Sequence, residues 1–595
     1  MKNIILPACL AIAVAACGGG EKTPEAGDAA DPPAAAPIGS DEGQPEANET
    51  AATHKWAVSS AHPLATEAGA RILREGGTAV DAAIAVQAVL GLVEPQSSGL
   101  GGGAFMLYYD QQSGAITAYD GRETAPFTAS RELFLNEDGS RMSYRVALGS
   151  GRAVGVPGVV AMMDMAHREH GRLEWSELYA DAYRLASEGF EVSPRMAKVL
   201  NDSASFLAAD EMAHSLYFSE DGSTLAEGTV FKNAPYAETV RTIADNGAGA
   251  FYSGDIAQGI VDAVAARAGQ PLIALDDIFE YEPVAREAVC GDFKGYEICT
   301  MAPPSSALAM LQTLGMMEAK GLPEEPGPEL WMMYGEAGRL AYADRADYLG
   351  DPTAMGTPEI TSEEVAEALI QPDYLRERST LIGTFSAAEV AAGEPFGGKL
   401  KEDRQTDASD EVPGTTHFST MDRYGNIVSM TGTVESAFGS KFMSGGMFLN
   451  NELTDFSFEP VQDGMVVVNA VGPGKRPRSS MTPTIVLDKD GQPVAAIGSA
   501  GGANIIGHVA KTLLLALGYD MPWQDAISHH HVTTRVGFVF VEDTAPAETI
   551  AAMEGYGLTV NVREISSSLH GFRLDHGKVE CGADPRREGV CLTGK

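Results

Sequence analysis

Near residue 414 the chain passes from one kind of sequence to another, and that boundary limits its fold more than any other feature. Residues 353–413 are polar, turn glycine-rich towards their end and carry a charge cluster at 399–410, so they read as an exposed region. Pro413-Gly414-Thr415-Thr416-His417-Phe418-Ser419 follows at once, and strand-like runs take over. Residues 417–422 and 426–433 flank an Arg423-Tyr424-Gly425-Asn426 turn; 484–487 and 494–497 flank Lys489-Asp490-Gly491. Each pair predicts a hairpin, because alternating β-formers separated by glycine-containing turns favour antiparallel pairing.

The remaining elements divide between helix and strand. Residues 63–93 predict two helices broken at Gly76-Gly77, the second, 80–93, almost wholly apolar and therefore buried. Ser98-Gly99-Leu100-Gly101-Gly102-Gly103 lacks the Lys-Ser/Thr of a phosphate-binding loop and reads as a tight turn into a strand at 104–109. Residues 150–350 are mostly helical in pattern, and 503–517 form a strong helix after Gly501-Gly502. Strands and helices in this order predict antiparallel sheets sandwiched between helical layers.

The beginning of the chain stands apart. Lys2 precedes an apolar stretch, residues 4–16, too short to span a bilayer comfortably, and Val14-Ala15-Ala16-Cys17-Gly18 resembles a bacterial lipobox. Residues 1–17 thus predict a lipoprotein signal with Cys17 lipidated; an ordinary secretory signal is the alternative. Residues 18–54, rich in Gly, Ala, Pro and acid, cannot bury enough apolar surface to fold and predict a tether. Export follows, to the periplasm or cell surface and most simply the outer membrane. Export favours disulfides. Apart from Cys9 and Cys17 the cysteines fall as two close pairs, Cys290/Cys299 and Cys581/Cys591. Local pairing is the preferred connectivity, with the other pairings or free thiols as alternatives. With 82 acidic against 42 basic residues the formal charge is −40, which excludes nucleic-acid binding by phosphate neutralisation. His529-His530-His531 does not predict a metal centre, since adjacent residues do not converge easily on one ion.

Thr415 is where chemistry enters. A threonine hydroxyl needs a base, and one solution is the α-amine of the same residue, which requires a backbone cut before it. A free α-amine has a pKa of about 8, suited to a base near neutrality. Gly414 would let the scissile peptide distort. A Thr-Thr pair entering a strand is the plain alternative.

Thr415-Thr416-His417-x-Ser419 resembles the motif that opens the small subunit of the γ-glutamyltransferase (glutathione hydrolase) family. So, in the family's order from about residue 55 onward, do Arg122-Glu123-Thr124-Ala125-Pro126, Pro303-Pro304-Ser305-Ser306, Asn450-Asn451-Glu452, Asp455-Phe456-Ser457, Lys475 to Met481, Gly498 to Gly502 and Asp584-Pro585-Arg586. The resemblance implies an αββα N-terminal-nucleophile fold and self-cleavage between Gly414 and Thr415. The products would be a large subunit, 55–414, and a small subunit, 415–595. It implies γ-glutamyl transfer from glutathione and related donors to water or to amino-acid or peptide acceptors, without a cofactor or catalytic metal. By matched position, Thr415 is the nucleophile and Thr433 its hydrogen-bond partner, with Gly501 and Gly502 the oxyanion donors. Arg122 grips the substrate α-carboxylate, assisted by Ser479 and Ser480. Glu435, Glu452 and Asp455 accept from the α-ammonium. Glu435 stands where some members have asparagine. The stretch from Asp455 to Ser479 is shorter than in members with a full lid loop, which implies a more open acceptor side. Two other readings compete: a glutaryl acylase of the same fold, as in cephalosporin acylases, and an inactive peptide-binding lipoprotein.

Overall fold

The computed structural model describes residues 55–357, 359–383, 390–397, 399–400 and 414–595. Cys17, the tether at 18–54 and most of the charge cluster at 399–410 lie outside the described residues. Two antiparallel sheets form the centre. One has seven strands in the spatial order Val590–Gly594, Trp56–Ser60, Thr415–Met421, Ile427–Thr433, Gly103–Tyr109, Ile116–Gly121 and Val284–Glu287. The other has six, in the order Lys578–Ala583, His570–Asp575, Pro493–Gly498, Thr484–Leu487, Tyr296–Thr300 and Val289–Phe293. Strands from both sides of residue 414 thus share each sheet, interleaved in the seven-stranded one.

Side-chain alternation along Thr415–Met421 shows why layers form. Thr416, Phe418 and Thr420 face the helix Ala79–Val93: Phe418 joins its core, and the Thr420 hydroxyl donates to the Ala79 carbonyl at 2.8 Å. Thr415, His417 and Ser419 face the second sheet, where His417 packs on Gly498 and Ser419 donates to the His570 carbonyl at 3.4 Å. Buried hydroxyls cross between the sheets, as in Ser429 Oγ to Ile497 O at 3.1 Å and Ser59 Oγ to Gly582 O at 2.6 Å. Each of these hydroxyls has a partner, as desolvation demands. The outer faces carry apolar cores: Pro63–Arg74 and Ala79–Val93 on one side, Leu308–Lys320, Pro328–Tyr348 and Ile505–Gly518 on the other. This is the αββα sandwich.

The helix Ala79–Val93 is buried along its whole length, and Thr78 and Asp81 close its first turn as a reciprocal cap. Both cysteine pairs are disulfides, Cys290–Cys299 across a hairpin and Cys581–Cys591 between edge strands of the two sheets.

The region at 150–350 is mostly helical, as its pattern predicts, and also carries the strands Val284–Glu287, Val289–Phe293 and Tyr296–Thr300, which complete both sheets. Two expectations need correction. The stretch before residue 414 is not simply exposed: helices Ser362–Ile370 and Pro372–Ser379 bury Val365, Leu369 and Tyr374 against Leu308 and Tyr348. The first small-subunit strand begins at Thr415, two residues before its apolar pattern does. Among the described residues, no helix is long and apolar enough to cross a membrane.

Candidate active site

Thr415 opens a central strand, and register pairs it directly with Thr433 at the end of the next. Their hydroxyls are 3.2 Å apart. The Glu435 amide donates to Thr433 Oγ1 at 2.8 Å, and Thr433 Oγ1 lies 3.3 Å from the Gly414 carbonyl oxygen. A hydroxyl has one proton to donate and two lone pairs. If the Thr433 proton goes to the Gly414 carbonyl, the Thr415 hydroxyl donates to Thr433. That arrangement polarises the peptide before Thr415 and draws on the Thr415 proton together.

Gly414 is held by the loop that follows Thr433. A Cβ placed there would stand 2.1 Å from the Glu435 carbonyl and 2.6 Å from the Ser436 carbonyl carbon. In the same loop Glu435, Phe438 and Lys441 all have φ in the left-handed region, at 76°, 62° and 69°. Such strain persists where surrounding structure over-determines it. Here Asn451 accepts from the Ser436 amide at 3.0 Å, and Lys441 donates to Ser436 Oγ at 3.0 Å. Burial pulls the Lys441 ammonium down to about 8, against the pull of Glu435. If the peptide before Thr415 is the one that is cut, Gly414→Ala is expected to slow that cleavage on the order of 10²-fold, since ångström-scale misplacement costs that much. The rate at which two bands replace one on a denaturing gel measures it, and wild-type kinetics would remove this role for Gly414.

Thr415, Thr433, Arg122, Glu435, Glu452, Asp455, Ser479 and Gly502 line one narrow pocket of about 10 Å³, with Met481 and Ile505. An open groove of about 850 Å³ beside Lys55 and Arg573 shares none of these residues, so size does not locate the site. Arg122 closes the pocket. Its Nη1 donates to Glu452, and its Nη2 to Asp455 at 2.5 Å and to the Arg478 carbonyl at 2.9 Å. Its Nε donates to the Pro477 carbonyl at 3.1 Å. Glu123, also buried, stands 3.9 Å from Nη1. One guanidinium thus faces several buried carboxylates. Burial pushes the Glu123 carboxyl up to about 8 and raises Glu452 as well, with Glu123 and Glu435 adding to the latter.

Gly501 and Gly502 have φ of 137° and 57°, backbone that side chains rarely adopt, and lead into Ile505–Gly518 through a short 3₁₀ turn. Successive positive-φ residues before a helix aim amide groups into a concavity suited to negative charge. Ser479 lines the pocket, but Ser480 is turned to Arg345, whose Nη2 donates to its hydroxyl at 2.9 Å. The stretch after Asp455 folds as a small hairpin, Val461–Gln462 with Met465–Val466, and Phe458 stacks on Phe134 with ring centres 4.3 Å apart. His529 and His530 pack on Trp331, while His531 bonds Ser567 at 2.8 Å.

Sequence reasoning missed three contributors. Tyr144 donates to Glu435 Oε2 at 3.1 Å, Asn451 binds the same oxygen at 2.5 Å, and Arg587 Nη1 donates to the Thr415 carbonyl at 2.9 Å. Asn451 lies inside a recognised motif and Arg587 directly follows one, Asp584-Pro585-Arg586, so adjacency was a usable signal for both; Tyr144 had none.

A threonine at the head of a central strand in an αββα sandwich of antiparallel sheets defines the N-terminal-nucleophile hydrolase class. A cephalosporin acylase from Bacillus halodurans shares this fold with a TM-score of 0.79 at 24% identity, covering 93% of this chain and 98% of that one. The chain belongs to the Gamma-glutamyltranspeptidase family, whose model matches residues 65–593. It is 35% identical over 549 residues to a glutathione hydrolase proenzyme of Bacillus subtilis, covering 90% of this chain and 91% of the relative. It is 33% identical over 542 residues to that of Escherichia coli, covering 89% and 90%.

Proposed function

We propose that this chain is a glutathione hydrolase with γ-glutamyltransferase activity, activated by its own cleavage between Gly414 and Thr415. The observation that carries the reading is the meeting of Thr415, Thr433 and the Gly414 carbonyl in the pocket that also holds Arg122 and its carboxylates. In processing, Thr415 Oγ1 attacks the Gly414 carbonyl carbon, the C–N bond breaks and the acyl group moves to oxygen. Water then hydrolyses the ester, leaving a Gly414 carboxylate and a free Thr415 amine. In turnover that amine takes the hydroxyl proton, Oγ1 attacks the γ-carbonyl, and the amides of Gly501 and Gly502 receive the oxyanion. The departing amine leaves with a proton, and water or an acceptor amine releases the glutamyl group.

Charge explains why a γ-glutamyl head suits this pocket. Arg122 spends its donors on Glu452 and Asp455. A zwitterionic head trades that internal pairing for two others, its carboxylate taking the guanidinium and its ammonium taking the released carboxylates. A glutaryl amide, the substrate class of the acylase reading, lacks the ammonium and would leave them buried without a cation. The purified protein is expected to show two bands on a denaturing gel, the smaller beginning at Thr415, and to release glutamate from glutathione. A single intact band without glutamate release would overturn the reading.

The lipobox-like sequence supports a membrane anchor at Cys17 and an exported site of action. Cys17→Ser is expected to move the protein from the membrane to the soluble fraction, because the thioether cannot form. Salt-resistant membrane association of that variant would argue for a different anchor.

A further inference from the structure

We infer that Arg587 is a positioning residue that keeps the α-amine of Thr415 neutral, and so competent as a base; this rests on the self-cleaved threonine proposed above. The guanidinium is buried and donates from Nη1 to the Thr415 carbonyl at 2.9 Å. A residue's own carbonyl oxygen lies about 3 Å from its nitrogen, so after cleavage the charge stands roughly 4–6 Å from the amine. At that range a like charge disfavours the ammonium.

Arg587 is poorly neutralised. The carboxylate beside it, Glu94, is 4.0 Å away. Glu94 already accepts from Arg195 Nη1 at 2.8 Å and from the Thr416 hydroxyl at 3.4 Å. Arg587 Nε has no partner among the described residues. Burial, with Arg195 adding to it, pulls this guanidinium down to about 9, against Glu94 and Asp584.

The need for such a cation comes from the other side of Thr415. Glu435, Glu452 and Asp455 line the pocket with Arg122 as the cation among them, so the field there favours an ammonium. His417, two residues along on the same face, is buried and held well below its ordinary value by burial and by His570, so it adds no charge. The pocket carboxylates favour the protonated form of the Thr415 amine. Arg587 opposes this from beneath the strand.

Its placement is rigid. Arg587 sits in the loop joining Lys578–Ala583 of one sheet to Val590–Gly594 of the other, and the Cys581–Cys591 disulfide closes that loop. Asp584 pins the turn, accepting from the Leu569 amide and the Arg586 amide, both at 3.0 Å.

The test is the pH dependence of kcat/KM for a chromogenic γ-glutamyl anilide, whose acidic limb reports the amine. Removing the positive charge favours the ammonium, so Arg587→Met should move that limb up by about one pH unit. Arg587→Lys should hold it near wild type. Glu94→Gln, which removes the opposing negative charge, should move it down. A uniform loss at every pH in Arg587→Met, with the limb in place, would show a structural role and overturn the inference. If Arg587→Met stays uncut, Glu94→Gln decides: a limb that stays or rises overturns it. A wild-type chain without γ-glutamyl activity overturns this and the proposed function together; a cut, active wild type with unmoved limbs in the variants overturns this alone.

Discussion

Thr415→Ala is expected to leave a single intact polypeptide with no measurable γ-glutamyl turnover. The same Oγ1 is asked to do two jobs, attacking the Gly414 carbonyl once and the substrate carbonyl in every cycle. In the uncut chain it lies 3.2 Å from Thr433 Oγ1, which also lies 3.3 Å from the Gly414 carbonyl oxygen. Alanine keeps the strand, because the backbone pairing of Thr415 with Thr433 does not use the hydroxyl. What disappears is the nucleophile, and with it the cut that would create the base. Losing a nucleophile costs on the order of 10⁴- to 10⁶-fold in kcat in enzymes where it acts as part of a unit. Thr415→Ser should still process and turn over, more slowly, since serine offers the same oxygen without the methyl group that restricts its rotamer. A denaturing gel and a γ-glutamyl anilide assay on the two variants are sufficient. Two subunits from Thr415→Ala would remove this residue from the processing chemistry.

The parts of this molecule that could be read from its sequence are those in which local pattern and tertiary role coincide. The run 80–93 is almost wholly apolar and forms a helix buried along its length. The hairpins at 417–433 and 484–497 alternate because one face meets a helical layer. Thr415 and Thr416 are polar, yet both are buried in the strand. The layer between the sheets is built from serine, threonine and histidine, so hydropathy is blind to it. Within the pocket, Arg122, Thr433, Glu452 and Asp455 converge on Thr415 although they lie far apart in sequence. Nothing local predicts that convergence; it was legible only through the resemblance of several short motifs in order. Ser480 follows Ser479 directly, and its hydroxyl accepts from Arg345 Nη2. Tyr144 shows the limit of reading by resemblance, because it acts through contacts between distant segments and leaves no pattern in its own neighbourhood.

Asp455→Asn is expected to lower kcat/KM for γ-glutamyl substrates by roughly ten- to a hundredfold, the size of a lost charge-assisted bond of about 1.5–3 kcal/mol. Asparagine keeps the shape of the side chain and removes its charge. The substitution also weakens a bond within the protein, because Asp455 Oδ2 accepts from Arg122 Nη2 at 2.5 Å. Arg122 should nevertheless stay in place. Glu452 and the carbonyls of Pro477 and Arg478 still hold it. Easier release of Arg122 would help the α-carboxylate of any substrate that carries one, so it cannot by itself produce the loss. The ammonium is the discriminating group. A glutaryl amide has none, and in the wild type it would bury the carboxylates without a cation. In Asp455→Asn one of those charges is gone, so the glutaryl substrate loses nothing and gains where burial had been penalised. The ratio of glutaryl to γ-glutamyl kcat/KM should therefore rise at least tenfold, while self-cleavage, which involves no substrate ammonium, proceeds. Both substrates measured on the same cleaved preparation give the answer, because any change in active fraction cancels in the ratio. An unchanged ratio would mean that Asp455 serves Arg122 and does not read the α-amino group.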